Sequence, residues 1–180
     1  MGRRVDRRAR ALGIPDDGRR LLARTHAVAM IPRDRIADDD HDPVYLHPGR
    51  SALILLLDVQ ETDPIVVAAA MGVDSESAAY APERSALDAH VRALAEQVPS
   101  AGSEDLAERL VVADDRVRRV ALAERLDHLR HAHLWDDVVA RRRAHAEARE
   151  IYAAVAHRTH PALAHRYDWW CRMFGSRHLG

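Results

Sequence analysis

The sequence predicts an all-α protein, a single-domain helical bundle of six to eight helices. Three observations predict it. Apolar residues make up 47% of the chain but aromatic ones only 4%, and Ala and Leu dominate, which favours helices packed on helices. Apolar residues recur at helical spacing in successive segments, and no stretch reads convincingly as a strand. At 180 residues the chain can enclose one sizeable core but is short for two.

Residues 1–18 are Arg-rich and run into Ile14-Pro15-Asp16-Asp17-Gly18, so a flexible tail and turn are expected before a helical domain over 19–180. A first helix is expected over 19–30, with Leu21, Leu22, Val28 and Ala29 inward. Residues 31–46 read as a polar loop carrying Asp38, Asp39 and Asp40, then His41 and Asp42. Hard cations take oxygen ligands, but a loop rarely presets their geometry, so this run is read as a solvated acidic loop.

His47-Pro48 should open the next helix, because Pro suits a first turn. Residues 51–57, apolar nearly all round, make that helix central. Residues 58–63 form a turn, and Pro64 opens a second buried helix, in which Gly72 leaves room for a close neighbour. After a loop over 75–82, an amphipathic helix is expected over 83–98, with Leu87, Val91, Leu94 and Val98 on one face. Pro99 to Ser103 breaks it, and Ser103 can cap a helix from Glu104. Helices over 115–135, 136–157 and 161–174 follow.

Composition narrows the chemistry. The chain has no Lys and no Asn, which excludes a Schiff-base lysine, a P-loop lysine and a catalytic Asn. An Arg-only basic complement also fits the codon bias of a GC-rich bacterial genome. The single Cys171 cannot form an internal disulfide and fits a reducing compartment. With no long apolar run and no signal-peptide core behind MGRRVDRRAR, a cytoplasmic protein without membrane contact is expected. A formal charge of -1 gives no global drive towards nucleic acid, and the local Arg runs are read as solvated helix faces.

The candidate site is a set of four residues. Glu124 and His128 are four apart and share a helix face, while Leu122, Leu126 and Leu129 take another. A carboxylate and an imidazole so placed can hold a divalent cation or flank a phosphate. The alternative is that His128 is merely a polar residue on a helix face, salt-bridged to Glu124. His47 at one helix start and Asp74 at another helix end can complete the set. Arg125 and Arg130 are candidates for phosphate binding, with pairing to a nearby carboxylate as the alternative for Arg125. His131 can extend the cluster or cap the helix, and His157, His160 and His165 surround a helix junction. Trp169, Trp170 and Phe174 are read as a core plug or an interface, because no basic stripe surrounds them in the sequence.

In order and spacing, these residues resemble the HD superfamily of metal-dependent phosphohydrolases. The likeness is greatest to the (p)ppGpp hydrolase domains of RelA/SpoT-type proteins and to stand-alone small alarmone hydrolases, and it covers the chain from about His26 onward. The family's His-Pro, whose His binds metal, is similar to His47-Pro48 in YLHPGRSALIL. Its His-Asp pair falls on Val73-Asp74 in AAAMGVD, so one ligand is missing. The Glu-Asp pair of the hydrolytic step has at most Glu76 as a displaced remnant. The later Ala-Asp-Arg-Leu-His-Asn signature appears as Ala123-Glu124-Arg125-Leu126-Asp127-His128. The family's basic loop has no good counterpart in residues 31–46.

The resemblance implies a Mn, Fe or Mg ion that polarises phosphate and lowers the pKa of a bound water. Val73 cannot ligate, so the first expectation is a degenerate HD protein with doubtful hydrolase activity. The alternative is a rebuilt metal set of His47, Asp74, Glu124 and His128, with Asp74, Glu76, Glu124 and His128 as acid/base groups and a small phosphorylated metabolite or nucleotide as substrate. A third option is a metal-free cavity repurposed in specialised metabolism, and a homo-oligomer is compatible with all three.

Overall fold

The computed structural model describes residues 1–36, 45–74, 79 and 81–179, and all regular structure among them is helical. In chain order the α-helices are α1 (Gly2–Ala11), α2 (Asp16–Ile36), α3 (His47–Ile54), α4 (Pro64–Gly72), α5 (Ala89–Ala95), α6 (Leu106–Val112), α7 (Asp115–His131), α8 (Val138–Glu147), α9 (Ala153–Thr159) and α10 (Pro161–His178). A π turn, Ala148–Tyr152, joins α8 to α9 without a break, so the described residues form nine rods in one compact body. That is one more than the upper bound read from the sequence.

The additional rod is α1, in the stretch expected to be a flexible tail. Its reason is a narrow apolar stripe: Val5 and Ala9, one turn apart, are buried where α1 packs on α2 and α3. The arginines take the outer face, where Arg10 pairs with Asp6 at 3.7 Å, while Arg8 Nε donates to the Leu56 carbonyl at 3.3 Å. The helical body therefore begins well before residue 19. The join to α4 is close at Gly18, where a Cβ would lie 2.9 Å from Ile14 Cγ2 and 3.1 Å from Pro64.

α4 is the centre, packed on α2, α3, α5 and α7. Its sequence is apolar on every side, and Val66, Val67, Ala68, Ala69, Ala70 and Met71 are all fully enclosed. Asp63 starts it by accepting from the Ile65 amide at 2.9 Å, beside Pro64. α3 continues through a π turn, Leu55–Val59, and stops at Gln60, which takes a left-handed φ of 56°. Buried Glu61 then fixes the corner: its carboxylate accepts from the Thr62 and Asp63 amides and pairs with Arg119 of α7.

Two expected helices are shorter than predicted. A 3-10 turn, Arg84–Ala86, replaces the start of the helix expected over 83–98, and Asp88 caps α5 by accepting from the His90 amide. Ser103 does not cap α6, which begins two residues later, behind Asp105. α7 begins at Asp114, whose carboxylate accepts from the Val117 amide at 2.9 Å. It packs on α3, α4, α9 and α10, and Tyr167 of α10 donates its hydroxyl to the Leu122 carbonyl at 2.8 Å. No helix among the described residues is long and apolar enough to cross a membrane.

Candidate functional site

Each functional side chain is delivered by a local rule of its own. Pro48 starts α3 and leaves His47 on its first turn, pointing inward and only 1% exposed. Arg50 follows on the next turn. α4 ends at Gly72, and the extended backbone of Val73 swings Asp74 under α2 and α7. A Cβ on Gly72 would come 3.2 Å from Leu87, so the neighbour that approaches there is a Leu side chain. On α7, Glu124, Asp127 and His128 share one face through their three- and four-residue spacings.

The structure brings His47, Asp74, Glu124 and His128 together. His128 Nε2 lies 3.0 Å from Glu124 Oε1 and 3.6 Å from Asp74 Oδ1, and His47 Nε2 lies 3.8 Å from Glu124 Oε1. The two imidazole rings stack with centroids 4.2 Å apart and planes 26° from parallel. One ligand atom each from His47, Glu124 and His128 fits within 4.8 Å of the others, and all three residues are buried. Ligands at about 2.0–2.2 Å from one ion sit roughly 3–4 Å from each other, so these spacings suit a cation.

Three residues that the sequence reading did not select hold the cluster in place. Asp127 accepts from His47 Nδ1 at 2.9 Å, which assigns that proton to Nδ1 and turns the Nε2 lone pair towards Glu124. Arg50 clamps the same carboxylate through Nε at 2.8 Å and Nη2 at 3.0 Å. Burial alone would push the Asp127 carboxyl up, but the hydrogen bonds from His47 and Arg50 outweigh it and hold the pKa at about 2. Arg33, fully buried, donates to Asp74 Oδ2 at 2.7 Å and to the Ala29 carbonyl at 3.0 Å.

The signal for Asp127 was available, since it lies three residues after Glu124 on the same helix face. Arg33 follows Pro32 late in α2, beyond the expected end of that helix, where nothing in the sequence marks a buried cation.

Among the described residues, two guanidinium groups, Arg33 and Arg50, and two imidazoles, His47 and His128, gather around three carboxylates, Asp74, Glu124 and Asp127.

The remaining candidates fall elsewhere. Glu76 and the acidic run Asp38 to Asp42 lie outside the described residues. Arg125 turns away from the cluster to pair with Glu147 at 3.2 Å, over the Tyr152 ring. His131 donates to the Asp127 carbonyl and does not extend the cluster. His160 caps α10, and exposed His157 pairs with Asp168 at 3.1 Å.

Arg130, one turn beyond Leu126, lines a cleft between α7 and α10. Trp170 and Phe174 are buried, as a core plug requires, but Trp169 is 49% exposed. The expectation that no basic stripe surrounds these rings is corrected here. Arg130, Arg166 and Arg177, far apart in sequence, border the same cleft because α7 and α10 run side by side.

Compared with family models, curated proteins and solved structures, the chain matches none of them.

Proposed function

We propose that this chain is a degenerate HD-type protein in which His47, Glu124 and His128 hold one divalent cation of the Mn, Fe or Mg kind, with Asp74 beside it. In this reading it descends from phosphohydrolases that act on small phosphorylated metabolites or nucleotides, and its turnover of them is weak. The observation that carries the reading is the meeting of two imidazole nitrogens and a carboxylate in a buried cluster, with His47 oriented by a second carboxylate. His128 stands close enough to replace, in space, the imidazole that Val73 lacks.

When bound, such an ion polarises a phosphate and acidifies a water. The chain's own residues do the rest. Asp127 keeps the His47 proton on Nδ1, so that Nε2 can donate its lone pair. Arg50 holds Asp127 ionised, and Arg33 neutralises Asp74 without removing it from His128. Glu124 lies within reach of both imidazoles and completes the donor set.

A second reading rests on the same distances. His128 Nε2 lies 3.0 Å from Glu124 and 3.6 Å from Asp74, which equally suits a proton held among them and a metal-free acid/base cavity.

Elemental analysis of purified protein, followed by Mn2+ titration after EDTA treatment, separates the two. The proposal expects about one ion per chain, loss of that ion in His128→Gln and His47→Gln, and a higher melting temperature with added Mn2+. Protein that purifies without metal and takes up none at millimolar Mn2+ leaves only the metal-free reading. Release of phosphate from nucleotides and from p-nitrophenyl phosphate, with and without Mn2+, then measures turnover.

A further inference from the structure

We infer that the cleft between the C-terminal half of α7 and α10 is a second binding site, for a small amphipathic anion: a flat aromatic group carrying a phosphate or a carboxylate. This site is separate from the His/Glu cluster. Leu126 is two residues from both Glu124 and His128 on α7, and Arg130 is two from His128, a rotation of about 200°, so cleft and cluster lie on different faces of one helix.

Size, wall chemistry and charge each point to such a ligand. The cleft holds about 540 Å³, the scale of small-molecule sites. Its floor is apolar, built from Leu126 and the stacked rings of Trp170 and Phe174, whose centroids are 4.6 Å apart. Trp169 stands beside this floor with half its surface in water, although a ring of that size loses favourable burial when left exposed. A planar group laid against it would recover that burial.

The rim supplies the opposite chemistry. Arg130, Arg166 and Arg177 line the cleft, and among the described residues no carboxylate does. Asp58, on the far side, pairs with Arg166 at 2.7 Å and reaches Arg130 only at 3.9 Å, so one carboxylate serves two guanidinium groups. Arg177 pairs with no carboxylate among the described residues. Arg130 and Arg166 also border an adjoining cavity of about 270 Å³ that extends towards Arg4 and Arg50. The cationic surface therefore continues past the apolar floor, with space for the charged end of the ligand. Planar guanidinium forks recognise phosphate and carboxylate oxygens, and an anion there supplies the charge that Asp58 cannot.

The test is calorimetric titration of the full chain, freed of metal with EDTA, using 1-naphthyl phosphate, 1-naphthoate, 1-naphthol and inorganic phosphate as probes. The inference expects saturable one-site binding of naphthyl phosphate or naphthoate, at least about tenfold tighter than naphthol or phosphate alone. Which of the two anions binds more tightly identifies the charged group. Arg177→Gln and Trp169→Ala, both at exposed positions, should each weaken binding by about three- to tenfold, while His128→Gln leaves it unchanged.

Any of four results overturns the inference. These are no saturable binding at millimolar probe, equal affinity for naphthol or for phosphate, affinity unaffected by both cleft substitutions, and loss of binding in His128→Gln. Sedimentation showing a dimer that Trp169→Ala dissociates would also overturn it, by making the cleft an interface between copies.

Discussion

Replacing Arg33 by Met tests how the cluster is balanced. Arg33 is fully enclosed, and its partner Asp74 exposes only 1% of its side chain, with 2.7 Å between the charged groups. Met keeps the approximate length and the apolar stem, so packing changes little. What changes is charge: Asp74 remains buried without the Arg33 guanidinium, 3.6 Å from His128. Removing one member of a buried pair costs about 3–5 kcal/mol, and the lost bond to the Ala29 carbonyl adds roughly 1 kcal/mol. Urea unfolding followed by tryptophan fluorescence should therefore show a loss of about 5 kcal/mol, or about 2.5 M in the midpoint at a slope near 2 kcal/mol/M.

The companion variant combines Arg33→Met with Asp74→Leu. Exchanging a buried ion pair for apolar groups is often close to neutral, so the double variant should be more stable than Arg33→Met alone. A single variant within about 1 kcal/mol of the parent, or a double variant that costs the sum of its parts, would refute the balance described here.

Three further outcomes are expected. Asp127→Asn should cost about 2–3 kcal/mol at neutral pH. A folded pKa of about 2 lies below the ordinary 3.8, so the stability it brings is present above 3.8 and lost as pH falls through 2. The gap between parent and variant should therefore be about 1 kcal/mol narrower at pH 3 than at pH 7, and a gap that stays constant excludes Asp127 as the source. Burial, aided by the charge of Asp168, pushes the Cys171 thiol up to about 11, so alkylation by iodoacetamide at pH 8 should run about 100-fold slower than for a free cysteine. Gly18→Ala should destabilise by about 1 kcal/mol in thermal melts, because its Cβ meets Ile14 and Pro64, which outweighs the roughly 1 kcal/mol helix-propensity gain of Ala.

The helices that the sequence showed plainly are those with both a start signal and an apolar face. Pro48, Pro64 and Pro161 mark α3, α4 and α10, and the unbroken apolar run of α4 made its central position legible before any coordinates. α1 was concealed because its buried stripe is only Val5 and Ala9 among many arginines, so a charge run masked a two-residue periodicity. The helix expected over 83–98 was too long because Leu87 continues the apolar spacing, yet its side chain serves a turn that packs on Gly72. In the site, the meeting of His47, Glu124 and His128 followed from spacing and helix order. The roles of Asp127 and Arg33 depend on which helices face each other, and one-dimensional spacing does not carry that. The same limit hid the cationic rim around Trp169, assembled from two helices about forty residues apart in the chain.

The composition of the cluster bears on why it exists. A buried ionic network seldom stabilises a fold better than apolar residues of equal volume would, because each charge must leave water. This one is set beside a core where α4 is enclosed in aliphatic side chains, so apolar packing was chemically available at the same depth. Its two imidazoles also face the same carboxylate, although Asp127 already anchors one of them from behind. A carboxylate within reach of two imidazoles can hold a cation or share a proton, which is why the metal titration, more than any stability measurement, decides what the cluster is for.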